Sequence, residues 1–245
     1  MVLSLLALAV APGCAIVFYI YWKDRYDREP LKDLAISFFL GMICIIPALL
    51  IQTGLQPTLK HYFPNYSISY FSLFAFIVVA LSEELCKFIM MRFYAYPHKS
   101  FDEPFDGITY SVMVGMGFAT FENIEYVLNF GFETGLIRMF LSVPAHGTFA
   151  VLMGYYFGLA KFDRKNSLRH MLKGLLLATF FHGAFDFFLF LQDSPQVTRY
   201  VSNGLLISGA LTSYAIAIIM SVRSIRLHHE ISRKHYLAKN SVMSQ

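Results

Sequence analysis

Apolar runs of about twenty residues, separated by short polar segments, dominate the chain from its start to roughly position 222. A helix rises about 1.5 Å per residue, so about 20 apolar residues cross the hydrocarbon core of a bilayer. Backbone groups there must be satisfied within the segment itself, which favours helices. Such runs cover roughly Val2 to Trp22, Leu34 to Leu55, Tyr70 to Met91, Phe105 to Phe130, Arg138 to Leu159, Met171 to Leu191 and Val201 to Val222. The pattern predicts an all-α protein, a polytopic membrane helix bundle of about seven transmembrane helices. No repeat or low-complexity stretch divides the chain, and the connections are too short for a soluble module, so residues 1–245 read as a single integral membrane domain.

The basic residues between these runs set the expected orientation, because Lys and Arg are retained on the cytoplasmic side. None precedes the first run, whereas Lys23, Arg25, Arg28 and Lys32 follow it, the signature of an anchor with its N-terminus outside rather than a cleaved leader. Lys161, Arg164, Lys165 and Arg169 mark a second inside segment, and Arg223, Arg226, Arg233, Lys234 and Lys239 an inside C-terminus. The connection after the second run holds only Lys60, and that after the sixth only Arg199. Composition agrees: 56% of residues are hydrophobic and 15% charged, against about 25% charged in soluble domains. The net charge of +4 is mostly this topology signal, and the basic tail at about 223–245 suits anionic lipid headgroups better than nucleic acid. Cys14, Cys44 and Cys86 lie in apolar runs without metal-type spacing and read as core or lipid-facing residues, with no disulfide expected.

Charged side chains inside such runs cost about 2.5–3.5 kcal/mol each on insertion scales and mark functional positions. They are Glu83, Glu84 and Lys87 in the third run, Glu122 and Glu125 in the fourth, His146 in the fifth, and His182 with Asp186 in the sixth. Lys87 follows Glu83 by four residues and Glu84 by three, so either carboxylate reaches it across one turn. Adjacent helical residues point about 100° apart, so the two glutamates have different tasks, and the sequence does not say which. His182 and Asp186 share one face, where the carboxylate can fix the imidazole tautomer. Gly115 and Gly117 permit close packing near Glu122, with Phe118 one turn before it, and Glu125 reads as an interfacial residue. Counting along the helices places the cluster between the midplane and the outer half, so the site is expected to open outward.

Glu83-Glu84-x-x-Lys87, Phe118-x-x-x-Glu122 and His182-x-x-x-Asp186, in this order and each in its own run, resemble the PrsW family of membrane proteases. The stretch FDEPFDGITYSVMVGMGFATFENIEYV and the run around His146 carry the likeness over roughly Glu83 to Leu191. The family is similar to a larger group holding the type II CAAX prenyl endopeptidases and bacteriocin-immunity proteins, from whose patterns Lys87 and Glu122 depart. Prenylated substrates are therefore not expected. The resemblance implies an intramembrane endopeptidase of the bacterial cytoplasmic membrane that makes the first (site-1) cut in a single-pass anti-sigma factor, leading to release of a sigma factor. It places a catalytic core at about 70–192.

For peptide hydrolysis the cluster offers Glu83 or Glu84 as general base and His146 and His182 for the carbonyl or oxyanion. Asp186 would orient His182, Lys87 would neutralise the spare carboxylate, and Glu122 would complete the water or metal shell. Zinc suits these ligand types, although no His-Glu-x-x-His motif is present; the likeness to the CAAX group leaves open a metal-free, glutamate-activated water, so the sequence does not decide the metal. Two other classes share these features. A proton-coupled transporter would show substrate-dependent proton flux without cleavage, and a non-catalytic membrane partner or immunity protein would keep its activity with both glutamates replaced.

Overall fold

The computed structural model describes the backbone of residues 2–243 and the side chains of residues 3–238. Among the described residues there is no strand, in keeping with the all-helical expectation. The helices are α1 (Val2–Lys23), α2 (Leu31–Ile43), α3 (Ile45–Tyr62), α4 (Ile68–Leu73), α5 (Ser82–Met90), α6 (Pro104–Phe140), α7 (Ser142–Phe162), α8 (Ser167–Phe190), α9 (Pro195–Thr198) and α10 (Asn203–Met243). Two π-helical stretches, Phe74–Leu81 and Met91–Ala95, make α4 and α5 parts of one continuous rod.

Among the described residues five segments are long and apolar enough to cross a membrane: Leu3–Lys23, Leu31–Tyr62, Pro104–Phe162, Arg164–Asp193 and Asn203–Ala238. The difference from the sequence expectation has local causes. The third expected span is helical, but the π-helical stretch Phe74–Leu81 divides it into the short helices α4 and α5, so no single long α-helix carries it. The fourth and fifth are the arms of the segment Pro104–Phe162, broken where Gly131 turns to φ +83° and again at Leu141. Arg138, expected to open the fifth span, instead lies on the short arm between these two breaks.

Helix α6 is the axis of the bundle, and every residue from Pro104 to Thr120 is buried. Its start is fixed by Pro104 in the first turn and a reciprocal capping box between Glu103 and Asp106. Helices α1, α2 and α7 pack directly on it, while α8 packs on α7 and the π-helical stretch, and α10 lies across α7 and α8. Glycines permit the closest approaches: a Cβ on Gly117 would meet Phe38 O of α2 at 1.9 Å, and one on Gly154 of α7 would meet Gly107 O at 2.3 Å.

The connections gather at two ends. At one, Tyr96 bonds Ser167 (2.9 Å) and Ser100 bonds Asp33 (3.4 Å), joining the connections after α1, α5 and α7. At the other, Ser194 donates to Tyr66 O (2.9 Å), joining those after α3 and α8. The expected C-terminal tail continues α10 and packs inward at His228 and Ser232, both buried. Its end, with the Lys239 side chain, lies outside the described residues.

Candidate active site

The residues singled out in the third to sixth runs meet inside the bundle, around a cavity of about 530 Å³. Glu83, Glu122, His146, His182 and Asp186 line it, together with Phe118 and apolar side chains such as Ile45 and Phe74. Glu83, Glu84, Lys87, His146 and His182 are all buried.

The local structure of the third run separates the two glutamates. The π-helical stretch Phe74–Leu81 ends at Ser82, whose hydroxyl donates back to Val78 O (2.6 Å). Such irregular turns re-aim the residues that follow them. Glu83 faces the cavity, and Gln52 of α3 donates to its Oε1 (3.1 Å). Its Oε2 is buried without a hydrogen-bond partner. Glu84 points behind the cavity wall, where its Oε1 accepts from Lys87 Nζ (2.7 Å) and contacts His182 Nδ1 (2.9 Å). Lys87 sits 3.7 Å from Glu83 Oε2, so its short ion pair is with Glu84. Phe118 covers the ammonium with its ring, 4.2 Å from the centroid.

The partners of each imidazole assign its protons. Lys87 Nζ, a donor only, lies 3.1 Å from His146 Nδ1, so that nitrogen accepts. His146 Nε2 then carries the proton it shares with Glu122 Oε2, 3.0 Å away. Arg138 Nη2 donates to the same oxygen at 2.6 Å, while its Nε donates to Asn123 Oδ1 at 3.0 Å. Glu122, expected in the shell of a water or metal, therefore spends this oxygen on holding His146 and Arg138. His182 lies between carboxylates, with Glu84 on Nδ1 and Asp186 Oδ2 3.3 Å from Nε2. Phe149 stacks on its ring with centroids 5.3 Å apart, and the two imidazoles meet edge to face at 5.1 Å.

Gln52, Arg138 and Asn123 escaped the sequence reading. Each comes from a helix other than the one it serves or from beyond a chain break, and a polar residue near a span end is ordinary. Glu125, read as interfacial, lies at the exposed rim of the cavity.

One ligand atom each from Glu83, His146 and His182 fall within 4.8 Å of one another. Two imidazoles and a carboxylate are a donor set that Zn²⁺ accepts, and the unpartnered Glu83 Oε2 is the kind of atom such an ion satisfies. The residues present fit a metal once each imidazole releases one nitrogen from its present partner.

Apolar helices long enough to span a bilayer, closed around buried carboxylates, histidines and a cavity, define a polytopic membrane protein with a polar centre buried in its helix bundle. The family described as PrsW family intramembrane metalloprotease matches residues 29–225. Curated relatives called protease PrsW are 40% identical over 190 residues in Geobacillus kaustophilus (78% of this chain, 81% of the relative) and 35% identical over 188 residues in Bacillus subtilis (76% and 83%). That of Clostridioides difficile is 37% identical over 199 residues (78% and 82%). No solved structure matches the chain. The chain belongs to the PrsW family of intramembrane metalloproteases, and it is a membrane-embedded peptidase of the bacterial, multi-pass kind.

Proposed function

We propose that this peptidase makes the site-1 cut in a single-pass anti-sigma factor, on the extracytoplasmic side of the bacterial cytoplasmic membrane, with Glu83 as the group that activates water. The observation that carries the chemistry is the Glu83 carboxylate. One oxygen is oriented by Gln52, and the other is unpartnered on the cavity wall beside both histidines. The order and spacing of the family motifs support the substrate class.

His146 and His182, each giving up one present ring-nitrogen contact, would hold the metal implied by the family description, with Glu83 beside it. When bound, it would supply Lewis acidity toward the scissile carbonyl and lower the pKa of the attacking water. The side chains divide the remaining work. Glu83 takes the proton of the attacking water and returns it toward the leaving amine. Glu84 holds His182 through Nδ1, which fixes the ring so that Nε2, beside Asp186, is the nitrogen left to face a metal or the carbonyl. One of Glu122 and Lys87 does the same for His146, and Lys87 balances the charge of Glu84. Phe118 shields that ion pair. The cavity walls exclude bulk water and strengthen these charge interactions.

The seven-span arrangement, with the N-terminus outside and the C-terminus inside, fits this reading. The connections after α1, α5 and α7 share one end of the bundle, while Phe74 and Phe190 of the cavity lie toward the other.

The test is co-expression with candidate single-pass anti-sigma factors, comparing wild type with Glu83→Ala, Glu84→Ala, His146→Ala and His182→Ala by immunoblot of the truncated substrate. Loss of the fragment at unchanged enzyme level supports the assignment. Cleavage that survives in all four variants would sink the assigned site. Purified enzyme treated with a zinc chelator is expected to lose cleavage and to regain it on adding Zn²⁺.

A further inference from the structure

A second group of buried carboxylates lies far from the cavity. Asp24 follows α1, Glu103 caps α6 and Asp106 lies in its first turn. Asp106 and Glu122 are separated by sixteen positions of one helix, about 24 Å at the helical rise. A ligand oxygen from each of Asp24, Glu103 and Asp106 lies within 4.8 Å of the others. Their residues are 2%, 6% and 0% exposed. Glu29, also buried, accepts a hydrogen bond from Tyr110 and faces Asp106.

The polar accounting of this cluster does not close. Both oxygens of Asp24, Oε1 of Glu103 and Oδ1 of Asp106 are buried without a hydrogen-bond partner. Among the described residues no Lys, Arg or His nitrogen lies within 4 Å of any of these carboxylates. The nearest cationic side chain from α7, Lys161, gives its ammonium to Tyr96 O (2.6 Å) and His98 O (3.2 Å) instead. A neutral donor points the same way: Thr109 Oγ1, fully buried, lies beside the Asp24 carboxylate without a hydrogen bond of standard geometry. Burial, with Glu103 adjacent, pushes the Asp24 carboxyl up to about 8, and burial pushes that of Glu103 up to about 7, which shows what bare negative charge costs here.

We propose that Asp24, Glu103 and Asp106, with Thr109 beside them, form a second cation site that takes a hard divalent ion of the Mg²⁺, Mn²⁺ or Ca²⁺ class. The donors are all oxygen, the preference of that class rather than of zinc. Ligand oxygens about 2.1–2.6 Å from one ion are separated by about 5 Å at most, which the cluster satisfies. The ion would tie the connection after α1 to the start of α6, and through Ser232, which faces Glu103, to α10.

The full-length protein in detergent, treated with EDTA and dialysed, is melted with and without millimolar MgCl2, MnCl2 or CaCl2, and binding of each is titrated calorimetrically. At least one of them raises the melting temperature of wild type by several degrees. Asp24→Asn, which removes a repelling charge, melts at or above wild type without added cation, and it binds at least tenfold more weakly and loses the shift. Glu83→Ala keeps the shift, which separates this site from the catalytic one and from the reading of that site. Should Asp24→Asn fail to fold, Glu103→Gln gives the same readout. The proposal is overturned if none of the three ions shifts wild type, which leaves shared protons as the neutralising charge. It is equally overturned if the shift survives both carboxamide variants or disappears in Glu83→Ala.

Discussion

Glu83 and Glu84 are neighbours in the chain, but one helical step turns their carboxylates to different surroundings. Glu83 keeps an unpartnered oxygen on the cavity, whereas Glu84 ties Lys87 to His182. Glu83→Gln is therefore expected to lower cleavage by about 10²-fold or more, the usual contribution of a positioned base, with little change in melting temperature. Glu84→Gln leaves the Lys87 ammonium short of its counter-charge, a loss of about 3–5 kcal/mol for a buried pair. Melting temperature and cleavage should fall together. If both variants behave alike in thermal melts, the division of labour is wrong. Arg138 is tested the same way, because its fork spans Glu122 and Asn123 and a lysine cannot. Arg138→Lys should lose about 10-fold to 100-fold in cleavage, as outer-shell changes do; near-wild-type cleavage would deny it a role in holding His146. The Glu-Lys and His-Asp pairs were legible because their spacing is local to one helix. Gln52, Arg138 and Asn123 were not, since only packing between distant segments brings them to their partners.

At the scale of elements, the site depends on how closely α6 approaches its neighbours. Gly107 and Gly154 put α6 and α7 in backbone contact, and this contact sets how far His146 on α7 stands from Glu122 on α6. A methyl at Gly154 meets backbone atoms at 2.3 Å and 2.7 Å, which rotamer changes cannot relieve. Gly154→Ala should cost about 1–3 kcal/mol by overpacking and lower the melting temperature by several degrees. Gly54→Ala is the control, with nothing within 4 Å of the added carbon; it should be neutral or slightly stabilising, since it removes backbone freedom from a helix. Equal melting temperatures for the two variants would show that α6 and α7 separate without penalty. The small residues near Glu122 and the approximate helix positions were readable from the apolar pattern. The π-helical stretch before Glu83 and the breaks at Gly131 and Leu141 were not, because hydrophobic periodicity records which face is buried and is nearly blind to one inserted residue or to a short turn within an apolar run.

At the scale of the molecule, orientation decides which side of the membrane sees the cut. The connections rich in Lys and Arg, those after α1 and α7, lie at the end of the bundle that holds Asp24, Glu103 and Asp106, whereas Tyr66 and Ser194 mark the opposite, sparsely charged end. Retention of positive residues in the cytoplasm predicts that the latter end, toward which the cavity residues Phe74 and Phe190 lie, faces the exterior. Single-cysteine labelling tests this directly. Cys14 is exposed and is replaced by serine, while Cys44 and Cys86 are buried and stay. In that background Ser202→Cys, on the connection before α10, should react with a membrane-impermeant maleimide in intact cells. Lys165→Cys, on the connection after α7, should react only once the membrane is permeabilised. Both positions are exposed, so a missing signal reports the side of the membrane rather than burial. The reverse pattern would turn the catalytic cavity toward the cytoplasm and remove an extracytoplasmic site-1 cut from the functions this geometry can serve.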